Sequence, residues 1–298
     1  MMGDTNTPLG TINMWHRSTD ITTLLECQAK YALGRIYEPD AEAGYYGLGT
    51  AFHLYPSERL SGSPVEAAYQ AAEDSLVGFF EAAERSGRET RWTRKRPEES
   101  AFQTLRELCE RWESDLVPMY SDQGWVPVGV EFQGRLRGEP RDEGQTDSVV
   151  TTIDALWQRG SEFMVVDWKS GSTAKANPIQ LHIYSYVARH DPVSPLYGAD
   201  SDRVGLFFHH VAFSKQQDAA PYPGDGYVRG LLEWASHTKG AMRAFGFAPA
   251  KPDWYCDYCL YQSKCPAFGG GLADLTAKLG SAKMEYVNAA EGGREAEQ

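Results

Sequence analysis

The stretch FMVVDWKSG, Phe163 to Gly171, decides the fold. Four apolar residues open it, and Asp167 and Lys169 follow two residues apart. Side chains alternate along a strand, so these two charges share one face of an apolar β-segment. Just upstream lies SVVTTIDALW, with Asp154 inside an equally apolar run, and the turn signal QRGSE joins the two. With the turn centred on Gly160–Ser161, facing residues in an unbulged hairpin sum to 321. Asp154 then stands opposite Asp167. Facing residues have Cβ atoms roughly 5 Å apart, so the two carboxylates repel unless a cation sits between them. The rival reading, two solvated acids on an exposed face, sits badly with strands that are apolar on both sides of the charges.

The chain has 298 residues, 42% hydrophobic and 12% aromatic, enough for a substantial core. With 29 basic and 41 acidic residues the net charge is −12, which argues against a surface coated for nucleic acid but leaves room for a local basic groove. No run of about 18 apolar residues occurs, and the N-terminal stretch lacks a basic region followed by an apolar core. We expect no membrane association and a cytoplasmic location, in the host cytoplasm if the chain is viral.

Helical spacing is expected from Ser18 through STDITTLLECQAKYALGRIY and over most of residues 64–120. Strands follow in WVPVGVEFQGRL, SVVTTIDALW and EFMVVDWKS. Then come the helix PIQLHIYSYVARH, the strand RVGLFFHHVAF, a further helix and a cysteine-rich segment. The predicted class is α/β, a mixed sheet flanked by helices. The expected divisions are a flexible arm over 1–17, a helical region over 18–124, a core over 125–248, the cysteine segment over 249–268 and a tail over 269–298.

Two carboxylates, a cation and a lysine suit phosphodiester hydrolysis. A metal polarises the phosphate and acidifies a bound water, and the lysine orients that water or offsets developing charge. Oxygen ligands point to Mg²⁺ or Mn²⁺.

Here the residues resemble the PD-(D/E)XK nucleases, in the RecB-type branch that includes CRISPR-associated spacer-acquisition nucleases. The resemblance rests on Asp154 in one strand, Asp167-Trp168-Lys169 in the next, Gln180 and Tyr184 as Q-x-x-x-Y, and His53 in GTAFH as G-x-x-x-H. It implies a restriction-endonuclease-like core. It also implies that His53, Asp154 and Asp167 bind metal, with the Trp168 carbonyl as a further ligand. Asp154, Asp167, Lys169, Gln180 and Tyr184 form the catalytic group, with Lys169 as the catalytic lysine. The implied activity is a deoxyribonuclease working on single-stranded ends, in recombination, repair or spacer processing. No helicase P-loop is present, so unwinding would fall to a helicase, recombination or CRISPR partner. A non-catalytic DNA-binding or scaffold subunit is the alternative.

CDYCLYQSKCP supplies Cys256, Cys259 and Cys265, and Cys27 lies far upstream. Clustered thiols in a reducing compartment are more often metal ligands than disulfides. The same resemblance implies a 4Fe-4S cluster on these four cysteines, joining N- and C-terminal segments. Zinc is the rival, although most zinc modules use two C-x2-C pairs. Cys109 reads as a core residue, and His209 and His210 as structural. RETRWTRKRP provides Arg91, Arg94, Lys95 and Arg96 around Trp92. This suits backbone neutralisation plus base stacking, the means by which single strands are held without sequence preference.

Overall fold

The architecture is that of a computed structural model, which describes residues 16–92, 97–138, 148–171, 177–219, 221–245 and 250–270. Arg94, Lys95, Arg96, the arm up to residue 15 and the tail beyond residue 270 lie outside the described residues. In chain order the elements are β1 (His16–Arg17), α1 (Ser18–Glu26), α2 (Gln28–Ile36), β2 (Glu42–Ala43), α3 (Gly44–Leu60), α4 (Val65–Ser86), β3 (Thr90–Arg91), α5 (Ala101–Arg111), α6 (Val117–Ser121), β4 (Val126–Leu136), β5 (Val149–Arg159), β6 (Glu162–Lys169), α7 (Pro178–His190), β7 (Val204–His210), β8 (Lys215–Asp218) and α8 (Asp225–Phe245). No helix among the described residues is long and apolar enough to cross a membrane.

The chain forms two compact units. One comprises residues 1–40, 137–149 and 229–298, and the other residues 41–136 and 150–228. The second unit is thus inserted twice into the sequence of the first. The sheet of the second unit runs β5-β6-β7-β8, with β4 also paired to β5. β5 and β6 are antiparallel, from Arg159↔Glu162 to Ala155↔Val166, in the register expected from the turn. Gly160 takes φ +59, the left-handed conformation that a tight hairpin turn needs and that glycine adopts without strain. β6 and β7 are parallel, which requires a crossover, and α7 provides it.

Alternation along β5 and β6 divides the core. Ala155, Trp157, Met164, Val166 and Trp168 join Phe52, Tyr55, Leu76, Leu105 and Trp112 from α3, α4, α5 and the turn after it. Leu156 and Val165 pack with Leu181, Tyr184 and Phe208 from α7 and β7. Asp167 and Lys169 share the parity of Val165, so they emerge where α7 covers the sheet.

Close approach matters at Gly44, where a Cβ would lie 2.1 Å from the Trp92 ring. We expect Gly44→Ala to destabilise the protein by about 1–3 kcal/mol, read from denaturant unfolding, because a rigid indole has to move.

In the first unit the expected single helix from Ser18 is broken. Cys27 is extended (φ −161, ψ 114), and its sulfur accepts the Lys30 amide at 3.5 Å, capping α2. Asp20 bonds Arg35 at 2.7 Å and Lys239 at 3.3 Å, and His16 Nε2 meets Ser236 Oγ at 2.7 Å, fixing α8 to the N-terminal helices.

Candidate metal centre

Four elements of the second unit converge on one acidic group. His53 comes from α3, Glu131 from β4 and Asp154 from β5, and each offers a ligand atom within 4.8 Å of the other two. Asp154 is 7% exposed and Asp167, from β6, 2%. Continuing the observed register by one pair sets Asp154 opposite Asp167, and there a side chain enters the ladder. The Trp168 N–H donates to Asp154 Oδ2 at 2.7 Å, which fixes that carboxylate. His53 Nδ1 lies 3.4 Å from the same oxygen.

Lys169 Nζ lies 2.6 Å from Asp167 Oδ2 and donates to Gln180 Oε1 at 3.0 Å. Gln180 Nε2 in turn donates to the Tyr184 hydroxyl at 2.7 Å. Asn177 caps α7 by accepting the Ile179 N–H at 3.1 Å, and Pro178 occupies the first helical turn. This start sets Gln180 and Tyr184 four residues apart on one helix face. A tyrosine–glutamine chain thereby holds the ammonium against Asp167.

The electrostatics are those of a site short of positive charge. Burial pushes the Glu131 carboxyl up to about 7, and the Asp154 charge adds to the effect. Burial raises Asp167 to about 6, with Asp154 adding to it and Lys169 pulling it back. Burial would lower His53, but the charge and hydrogen bond of Asp154, with Asp167 and Glu131 beyond, hold it up at about 9. Two carboxyls raised by burial, gathered with Asp154 beside His53 and Lys169, suit a divalent cation, whose charge reverses the balance. The donors are hard carboxylate oxygens with one imidazole, a set suited to Mg²⁺ or Mn²⁺.

Glu131 is absent from the expected site. Its signal was a lone acid in the apolar run VPVGVEF, the same signal that identified Asp154 and Asp167. Its φ of +45 is left-handed, a conformation that costs a non-glycine residue about 1–3 kcal/mol and clusters at functional sites. A pH test follows. The folded-state pKa of about 7 lies above the ordinary 4.5, so this group's stability is full below about 4.5 and is lost as pH rises through about 7. Without metal, Glu131→Gln is expected to raise the melting temperature by several degrees at pH 8 and to change it little at pH 4.5. An equal gain at both pH values would refute the assignment of burial as the cause.

The remaining expectations fall outside this group. His209 is buried and meets the Tyr120 hydroxyl at 2.7 Å, and burial lowers it to about 4. His210 meets Gln217 at 2.9 Å. Burial pushes the Cys109 thiol up to about 12 within the core. Trp92 is stacked on Phe80 (centroids 5.8 Å apart, 21°) and lies edge-on to Phe79, so that its ring is used within the protein.

In the first unit, Cys27, Cys256, Cys259 and Cys265 line one pocket with Lys30, Leu33 and Phe268. All are free thiols. Cys27 and Cys265 are buried together with Ala29 and Leu33. The Asp253 N–H donates to Cys256 Sγ at 3.3 Å. Asp40 ties this segment down by accepting the Ser263 N–H at 2.9 Å.

No curated protein matches the chain. Among solved structures, that of SSO0001 aligns at 14% identity over 83% of this chain and 95% of that one, with a TM-score of 0.36, too low to bear on the argument. The sequence model described as PD-(D/E)XK nuclease superfamily matches residues 18–266, a span that contains the acidic group, Lys169, Gln180, Tyr184 and all four pocket cysteines. The chain, with its nuclease fold and candidate acidic metal site, belongs to the PD-(D/E)XK nuclease superfamily.

Proposed function

We infer that this chain is a metal-dependent deoxyribonuclease that degrades single-stranded DNA from its ends. The observation that carries the reading is the meeting of His53, Glu131 and Asp154 beside an Asp167–Lys169 pair at the end of one hairpin. His53, Glu131, Asp154 and Asp167 would hold Mg²⁺ or Mn²⁺, with the Trp168 carbonyl as a further ligand. When bound, the metal supplies Lewis-acid activation of the phosphate and of the attacking water.

The chain's own residues have distinct tasks. The Trp168 N–H keeps Asp154 aimed into the site. Lys169, a half-buried ammonium, faces the place where phosphate charge grows and offsets it. Gln180 and Tyr184 hold Lys169 in that position, so that no reorganisation is needed during the reaction.

Cys27, Cys256, Cys259 and Cys265 fit a 4Fe-4S cluster. They line one pocket, and an amide hydrogen bond reaches a sulfur at Cys27 and at Cys256, a feature common around iron–sulfur ligands. Bound there, the group would have a structural role, holding the cysteine segment to the N-terminal helices.

End-labelled single-stranded DNA, incubated with Mn²⁺ and resolved over time, tests the reading. Progressive shortening from one end is the expected result. An unchanged strand under Mg²⁺ and Mn²⁺ alike would refute it.

A further inference from the structure

Trp92 is packed away, and another aromatic lies open on the way to the metal centre. Tyr46 on α3 is 59% exposed. It belongs to a stripe of α3 formed by Tyr46, Gly49, Thr50 and His53, at positions i, i+3, i+4 and i+7. All four are exposed or half-exposed, whereas Gly47, Leu48, Ala51 and Phe52 on the other side of the helix are buried. The stripe therefore forms a surface path that ends at a candidate metal ligand. Seven residues along a helix span about 10 Å, the length of roughly three stacked nucleotides.

Three further observations mark this path. A Cβ at Gly49 would lie 3.3 Å from Ser170 Oγ, so the stripe passes directly beside the residue that follows Lys169. The Tyr46 ring leans on Tyr45, with centroids 4.6 Å apart and planes at 52°, which braces it without covering it. β3 pairs with β2 in the register Ala43↔Arg91, so an arginine is fixed beside the start of α3, one turn before Tyr46. The path thus carries an aromatic plane, a small step with a hydroxyl, and then the metal centre, with the backbone of Arg91 beside its head. A single DNA strand needs this order, with a base stacked before the scissile bond.

We propose that Tyr46 is a base-stacking platform that holds the unpaired nucleotide about three residues from the scissile phosphate of a single-stranded DNA substrate. The proposal rests on the nuclease reading above and adds the substrate's path to it. Thr50 and Gly49 let the backbone pass close to α3. Stacking is indifferent to base identity, so this platform grips any sequence.

The test uses the full-length protein and a single-stranded oligonucleotide with 2-aminopurine three nucleotides from its end. Binding is measured in Ca²⁺ buffer, with gel analysis to verify that the strand stays intact. The wild type is expected to bind and to quench the fluorophore. Tyr46→Ala is expected to weaken binding about ten-fold and to abolish most of the quench, and Tyr46→Phe to retain both. An abasic nucleotide at the same place is expected to weaken wild-type binding as much, with no further loss in Tyr46→Ala. Unchanged affinity and quench in Tyr46→Ala would overturn the platform and leave the nuclease reading intact. A wild type that binds no DNA, in single strands or duplex, would overturn both. Equal losses in Tyr46→Phe and Tyr46→Ala would also overturn the platform, because stacking needs the ring and not the hydroxyl.

Discussion

Lys169→Ala is expected to lower metal-dependent cleavage of single-stranded DNA by about 10²–10³-fold or more, while metal binding persists. Two effects combine. The substitution removes the cation paired with Asp167, and, on the proposed reading, the positive charge that offsets charge on the reacting phosphate. Asp167 is 2% exposed and already titrates at about 6 because burial outweighs the pull of Lys169. Without that pull its pKa rises further. The proton then competes harder with the metal for this carboxylate, so what activity remains should move to higher pH. A Lys169→Arg variant should not recover the loss, because the planar guanidinium cannot occupy the point position between Asp167 and Gln180. The measurement is a pH–rate profile with Mn²⁺ for the three proteins. A Lys169→Ala enzyme with wild-type rates would remove the basis for the catalytic assignment.

The second large effect concerns the cysteine pocket. Cys256→Ser is expected to lower the melting temperature by about 10 °C or more, and anaerobically purified protein should lose an absorption band near 400 nm. The expectation follows from composition. The described core around Cys27 and Cys265 is small, with Ala29 and Leu33 as its other buried members, so a bound group would carry much of its stability. Cys109→Ser is the control. It alters a buried thiol in the core of the other unit and should cost stability without touching the band. A colourless wild type that holds one zinc would replace the iron–sulfur assignment while leaving the ligand set in place.

Much of this could be read from the chain, for identifiable reasons. The β5–β6 register followed from one turn because side-chain parity leaves few choices once a hairpin's centre is known. That Gln180 and Tyr184 share one face was legible from helical spacing, whereas their link to Lys169 came from the family resemblance. Glu131 escaped because β4 joins the sheet from a distance, and no local turn ties it to Asp154. The break at Cys27 also escaped, because apolar spacing runs on through it. The sulfur that caps α2 lies at a position where periodicity sees only another small residue. Trp92 illustrates a further limit. A tryptophan among arginines is compatible with both surface stacking and burial, and only the neighbouring Phe79, Phe80 and Gly44 decide between them.

The interrupted course of the first unit has a temporal consequence. Cys27 and Leu33 leave the ribosome well before Cys265, their companion in the same buried cluster, with the inserted unit made in between. At about 5–20 residues per second, the early helices wait on the order of 10 to 50 s for that partner. During this interval the inserted unit can fold by itself. The sulfur-lined pocket therefore closes only after the inserted unit has been made, and whatever occupies it must be delivered after that point.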